Sequence, residues 1–296
     1  MRDLYRLVSD KILAQLEKGT VPWIKPWSQT AGGNVPCNAV SKRPYSGVNV
    51  VLLWGAMFEK GFTVPRFVTF KQAKELGGHV KKGEKGTQIY FVKKLQYKTE
   101  QPEGDDGEDE VRSVMMLREY TVFNVSQCEG LPARVMSIDI IKTNHQERDP
   151  VADAFIQASG AQITEAPGDQ AFYSPAYDTI QLPLFAQFKT RDLFYNTALH
   201  ELGHWTGHPS RLNRDLKVRF GTQAYAAEEL VAELTSAFLC AEHGMDNETQ
   251  SASYIKAWID LLKEDKKAFF TAASKAQQAT DYLRGKTSEV TTQQAA

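Results

Sequence analysis

The sequence predicts an α+β chain of two domains, and three observations predict it. Helical and strand periodicities both recur along the two halves, an aperiodic polar stretch separates them, and the charge divides between them. The chain has 296 residues, 42% of them hydrophobic, enough to bury two ordinary cores. The aperiodic stretch, residues 127–148, contains Gly130-Leu131-Pro132, which interrupts an element rather than continuing one. The expected division is a first domain at 1–126, a linker at 127–148, a second domain at 149–285 and a frayed tail at 286–296. Residues 1–99 hold 17 Lys and Arg against 6 Asp and Glu, whereas residues 111–296 hold 18 against 23.

The elements follow in order. A helix is expected over 3–18, with Leu4, Leu7, Val8, Ile12 and Leu16 on one face and Gly19 as its stop. A proline-rich turn leads to a helix over 48–60 that contains Trp54, read as a core residue. A short strand at 66–69, a helix at 70–76 and a hairpin of strands at 87–98 and 111–125 complete the first domain. Residues 100–110 join that hairpin with seven acids and no base, a solvated loop or, alternatively, a mimic of nucleic acid folded onto the basic surface. The second domain opens with a helix at 149–159, a strand at 161–165 and a hairpin over 171–182 that turns at Ser174-Pro175. Helices are expected from 191 through 204 with Gly207 and Pro209 as the stop, and at 224–243, 251–270 and 275–283. The three cysteines, Cys37, Cys128 and Cys240, lack CxxC spacing and read as free thiols of a reducing cytosol. No stretch has the form of a signal peptide or a membrane span, so no membrane partner is expected.

The chemistry is concentrated in His200-Glu201-Leu202-Gly203-His204. Imidazoles four positions apart share one helical face and can share an ion. Glu201, beside the first, stands where a general base would take a proton from water that the metal has acidified to a pKa of about 7. A catalytic zinc takes three protein ligands and a water, so a third ligand is expected downstream. Glu229 and Glu233, again four apart, resemble the second helix of the thermolysin-like gluzincins. That resemblance implies Glu229 as the ligand and Glu233 as the carboxylate behind His200 that fixes its tautomer. Glu228 competes for the ligand role at a shift of one position. Two imidazoles and a carboxylate suit Zn2+ best and also accept Mn2+ or Co2+. For the developing oxyanion, His208, Tyr173, Tyr177 and Tyr225 are the available donors.

The basic first third interleaves cations with aromatic rings: Trp23, Lys25 and Trp27 among prolines, Lys42, Arg43 and Tyr45 before a glycine, and Lys81, Lys82 and Lys85 ahead of the hairpin. Positive charge attracts phosphate whatever the base sequence, and exposed rings stack on unpaired bases. The expected partner is single-stranded nucleic acid.

Taken together, the two halves resemble the ArdC-type antirestriction proteins of conjugative plasmids, over nearly the whole chain. The N-terminal part is similar to the single-stranded-DNA-binding domain shared with TraC-type plasmid primases, through Pro22-Trp23, Pro26-Trp27, Asn38-Ala39, Arg43 to Asn49 and Leu52-Leu53-Trp54. The C-terminal part is similar to the associated zincin-like, gluzincin-type metallopeptidase domain, through Tyr173 to Ile180, His200 to His204, Ser210 to Arg214 and Glu228 to Glu233. The resemblance implies a cytoplasmic protein of the bacterial recipient cell that binds incoming single-stranded DNA and protects the plasmid from host restriction during conjugation. Two readings of different class follow from it. In one, the metal site is a peptidase that cuts a host restriction component or another protein, which it would hold by strand addition to the small sheet. In the other, the protein is a non-catalytic shield or endonuclease blocker whose metal is structural. A nuclease is disfavoured, because nucleases more often assemble carboxylate-rich two-metal sites.

Overall fold

The computed structural model describes residues 3–23, 35–98, 111–136, 147–215, 222–247 and 254–294. The acidic segment 100–110 lies outside them. Helix α1 (Leu4–Leu16) starts at Asp3, whose carboxylate accepts from the Arg6 N–H at 3.2 Å. It is followed by β1 (Cys37–Asn38), α2 (Val48–Lys60), β2 (Arg66–Val68) and α3 (Phe70–Glu75). Thr69 and Gln72 close a capping box on α3, which starts that short helix where the sequence places it. Then come β3 (His79–Val80), β4 (Thr87–Lys98), β5 (Val111–Asn124), β6 (Cys128–Glu129) and α4 (Ala133–Met136). The main sheet runs β1-β2-β5-β4, with the β4–β5 hairpin antiparallel from Thr87↔Val122 to Lys98↔Val111.

The second half begins with α5 (Pro150–Ala158), whose Asp149 N-cap precedes a proline at the first helical position. A small sheet of β7 (Gln162–Ala166), β8 (Phe172–Ser174) and β9 (Thr179–Pro183) has the order β7-β9-β8, which leaves β8 as an edge strand. Four helices follow: α6 (Arg191–Trp205), α7 (Gln223–Glu242), α8 (Ile255–Glu264) and α9 (Ala268–Gln294). Ile180 and Leu182 of β9 pack with Phe194, Tyr195, Leu199 and Leu202 of α6, which holds the small sheet against the α6 helix.

The largest core belongs to both halves. Val8, Ile12 and Leu16 of α1 and Val51, Leu53 and Met57 of α2 are buried with Leu230, Leu234 and Phe238 of α7, Trp258 of α8 and Phe269 and Ala273 of α9. Trp54 is buried there too, as its apolar surroundings predict, 6.0 Å from the ring of Phe238. Truncating such a residue, Leu234→Ala for example, costs about 2–5 kcal/mol.

Two expectations give way. The helix expected over 251–270 is interrupted at residues 265–267, and α9 is then continuous through residue 294, where a short helix and a frayed tail were expected. Neither Pro nor Gly occurs between residues 264 and 284, and buried Ala272, Ala273, Ala276 and Ala279 give a stripe of strong helix formers along its inner side. Trp23, expected to stack on a base, is 1% exposed. Its ring lies 5.3 Å from Trp258 and 5.7 Å from Phe269, and its carbonyl accepts from Asn247 Nδ2 at 3.1 Å. The large apolar area of an indole is better buried against α8 and α9 than left facing water, so no base can reach it.

Candidate metal centre

Helix α6 carries His200, Glu201 and His204, and α7 carries Glu228, Glu229 and Glu233. Each helix is started by a threonine, Thr190 and Thr222, whose side chain accepts from a backbone N–H three residues on. The two helices meet closely at Gly203, where an added Cβ would lie 3.0 Å from Ala232 Cα. A glycine within the motif therefore lets the two sets of side chains converge.

The convergence is orderly. His200 Nε2 is 3.5 Å from one oxygen of Glu229, and His204 Nε2 is 3.4 Å from the other. One ligand atom from each of the three residues lies within 4.8 Å of the others. Tetrahedral bonds of about 2.0–2.2 Å to one ion put their donors about 3.4 Å apart, so the donor set fits a divalent metal. Behind the rings stand two further carboxylates. Glu233 Oε1 is 4.0 Å from His200 Nδ1, and Glu228 Oε1 is 3.3 Å from His204 Nδ1. Each imidazole thus has one nitrogen toward Glu229 and the other toward an acid that can hold its proton.

Glu228 is itself held from behind. Buried Arg214 donates to both of its oxygens, at 2.9 Å and 3.0 Å, and also to Thr206 Oγ1 at 2.9 Å and the Gly203 carbonyl at 2.6 Å. Glu228 is directed to the far side of His204, whereas Glu229 faces the Nε2 atoms. Burial opposes charge on both histidines, but the carboxylates outweigh it: His204 is pushed up to about 10 by Glu228 and Glu229, and His200 is raised, chiefly by Glu229. Against its own burial, Glu229 is held far below the usual carboxylate range by the two imidazoles.

The site opens into a cleft made of two adjoining cavities of about 300 Å³ and about 440 Å³, which share His200, Glu201, Glu229, Tyr254, Ala171 and Phe172. Glu201 lies on the cleft wall, 8% exposed. The edge strand β8 forms the opposite wall through Phe172 and Tyr173. Among the sequence-derived oxyanion donors, Tyr173 gives its hydroxyl proton to Asp178 at 2.8 Å and receives Arg211 Nη2 at 3.2 Å. Tyr177 is 82% exposed, and His208 Nδ1 is 2.8 Å from Ser210 Oγ. Tyr225 lines the cleft with its hydroxyl 3.3 Å from that of Tyr254, and burial, Tyr254 and Glu229 all keep it protonated.

Arg214 and Tyr254 escape a reading of spacing alone, because neither stands at a helical interval from a ligand. Glu228 was visible, but as a rival ligand, since helical spacing cannot tell which side of an imidazole a carboxylate approaches.

The basic residues fall on two separate loops. Lys42 and Arg43 are exposed between β1 and α2. Tyr45 is half-buried, edge-on to Phe67 at 6.4 Å, with its phenol pushed up by burial. Lys82 and Lys85 are exposed before β4, whereas Lys81 donates to the Ser126 carbonyl at 3.1 Å. Lys25 and Trp27 lie outside the described residues.

Fold and site define a chain with a zincin-like half, and residues 150–275 match the family model described as zincin-like metallopeptidase. Residues 2–123 match the N-terminal domain of anti-restriction factor ArdC. The crystal structure of antirestriction ArdC protein from the R388 plasmid, in its metal-free form, superposes with a TM-score of 0.83 at 38% identity, covering 97% of this chain and 99% of that one. Its Mn(II)-bound form gives 0.78. The chain is also 39% identical to a DNA primase TraC of Escherichia coli over 99% of its own length but 28% of that protein's. A Sinorhizobium fredii protein, y4eC, is 36% identical over 97% of this chain and 93% of its own. The chain belongs to the ArdC antirestriction family. It spans about a quarter of the TraC relative, 28% of its length.

Proposed function

We propose that the chain protects plasmid DNA entering a bacterial cell from host restriction, as a single-stranded-DNA-binding protein with a working metallopeptidase site. One observation carries the catalytic part: Glu229 faces both Nε2 atoms while Glu201 lies beside them on an open cleft. A purely structural ion has no use for an acid in Glu201's position or for a cleft above it. Zn2+ is the preferred ion, and Mn2+, which the R388 relative binds in its crystal, or Co2+ suits the same donors.

When bound, the ion supplies Lewis acidity to a carbonyl and acidity to a water. The chain supplies the rest. Glu201 takes the proton of the attacking water and can return it to the leaving amine. The unpaired edge of β8 holds an extended peptide by backbone hydrogen bonds. Tyr225 and Tyr254, which line the cleft with their hydroxyls 3.3 Å apart, are the donors assigned to the carbonyl oxygen. Glu228, with Arg214 behind it, and Glu233 hold the histidines in the ligating tautomer. The proposed substrate is a host restriction component or another protein of the recipient cytoplasm.

The test is conjugation into a restricting host. Wild type and Glu201→Gln are compared after both are shown to fold and to hold metal. Protection lost in the variant supports a hydrolytic role; protection retained in full leaves DNA shielding as the function and removes the peptidase from it.

A further inference from the structure

A groove of about 690 Å³ lies between the β4–β5 hairpin, the start of α2 and the first turns of α9, so that both halves of the chain line it. Among the described residues, no Asp or Glu lines it. Lys267, in the turn just before α9, and Lys275, on α9, do line it, both exposed and neither in an ion pair among the described residues. Their neighbours differ: Lys266 is tied to Asp10 at 3.0 Å and Lys263 to Glu17 at 2.9 Å. Both lysines thus present their charge at the groove, and Lys275 also borders a neighbouring cavity lined by Asp215, Glu228 and Asp265.

The aromatic content is the second observation. Phe91, on the groove, is 44% exposed. Tyr5 and Phe270 meet edge to face at 4.8 Å, with the Lys267 ammonium 5.5 Å from the Tyr5 ring. Hydroxyl and amide groups complete the lining, among them Ser274 and Gln278. The two halves are joined at its edge, where Gly47 N–H donates to Gln277 Oε1 at 3.0 Å. Gly47 has φ +56°, which favours a glycine, and it follows the loop that carries exposed Lys42 and Arg43.

The geometry points to this groove as a subsite for single-stranded nucleic acid, with phosphates drawn to Lys267 and Lys275 and an unpaired base against Phe91. The assignment rests on the single-stranded-DNA reading above and moves its contacts away from the 21–27 segment. Unneutralised cations attract phosphate, and a lining without carboxylates adds no repulsion. An exposed ring can stack only on a base that is not already stacked in a duplex, so the chemistry selects single strands. Helix α9 thereby places part of the nucleic-acid contact on the metallopeptidase half of the chain.

The experiment is fluorescence anisotropy of a labelled oligothymidylate with the full chain, titrated across salt concentrations. Wild type is compared with Lys267→Glu/Lys275→Glu, Lys267→Gln/Lys275→Gln, Phe91→Ala and, as the competing surface, Lys82→Glu/Lys85→Glu. All variants are first checked for wild-type circular dichroism and melting, which these exposed positions should preserve. The groove assignment predicts a loss of more than about tenfold for the charge-reversed pair, and a salt slope shallower by about one per lysine in the Gln pair. Phe91→Ala is expected to lose about five- to a hundredfold. Unchanged affinity in all three groove variants, beside a wild type that binds, overturns the groove and leaves the single-strand reading standing. A wild type that binds no oligothymidylate overturns that reading and the groove with it. Equal affinity for duplex of the same length overturns the stacking contact.

Discussion

Two concave regions of the molecule have opposite electrostatic character. The cleft between β8 and the α6–α7 pair gathers Glu201, Glu228, Glu229 and Glu233 around two imidazoles, with Arg214 the one cation bonded into the cluster among the described residues. The groove beside α9 has lysines, rings and amides and, among the described residues, no acid. A dication and a polyanion would compete for each other's sites if the charges were mixed, and here they are kept apart. Both regions depend on the shared helical core, since α7 carries three of the carboxylates and α9, with the turn just before it, the lysines. The contrast also separates two kinds of burial. In the cleft, Glu228 and Glu229 are buried against the two imidazoles, whereas on the groove the lysines remain exposed and outside any ion pair among the described residues.

The largest expected effect breaks the cleft and leaves the groove alone. Glu229→Ala should reduce bound metal to background by elemental analysis after dialysis, with oligothymidylate affinity unchanged; retained metal would transfer the ligand role to another carboxylate. Glu201→Gln should keep one ion per chain and lower peptide hydrolysis by about 10²–10⁴-fold. Loss of metal from that variant would make Glu201 a ligand instead of the base. Arg214→Met strands the Glu228 carboxylate in a buried position, at a cost of about 3–5 kcal/mol in chemical denaturation. It should also weaken metal binding about 10–100-fold in chelator competition. Trp23→Ala should destabilise the fold by about 3–5 kcal/mol while the folded variant binds oligothymidylate as wild type does. A specific loss of binding there would return Trp23 to the nucleic-acid surface.

The smallest effect concerns the cleft wall. Arg211 bonds Asp178 with Nη1 at 2.9 Å, lies 3.8 Å above the Trp205 ring and fastens the β8–β9 turn to the end of α6. Arg211, then Tyr173, hold the Asp178 carboxyl below its usual range. A depressed carboxyl contributes its stability above the unfolded value of about 3.9, and that contribution is lost as pH falls through the lower folded value. Asp178→Asn should therefore flatten the acid side of the melting-temperature profile slightly and leave the neutral side lower by a constant amount.

How much of this was legible in the sequence follows from the range of the interactions involved. The faces of α1, α2 and α6, the β4–β5 hairpin and the pairing of His200 with His204 rest on local periodicity, whereas the choice of Glu229 over Glu228 comes from the resemblance to the gluzincins, because spacing leaves both open. The edge strand β8 was visible from its turn at Ser174-Pro175. Trp23 was misread because the exposure of a ring is decided by partners such as Trp258, more than two hundred residues away. The same distance hides the groove, whose lysines at the start of α9 and just before it lie far in sequence from the basic first third. The unbroken course of α9 depends on the alanine stripe fitting against α7, which composition alone does not reveal. Two-residue strands such as β1, β3 and β6 carry no period to be read.

The most direct measurement is anomalous diffraction from a crystal of the full chain soaked in Zn2+ or Mn2+. The account predicts one strong peak about 2.0–2.2 Å from His200 Nε2, His204 Nε2 and a Glu229 oxygen, with Glu228 and Glu233 still behind the imidazoles. A peak bonded to Glu228, or to Glu201 in place of Glu229, would contradict the assignment of ligand and base on which the proposed peptidase depends.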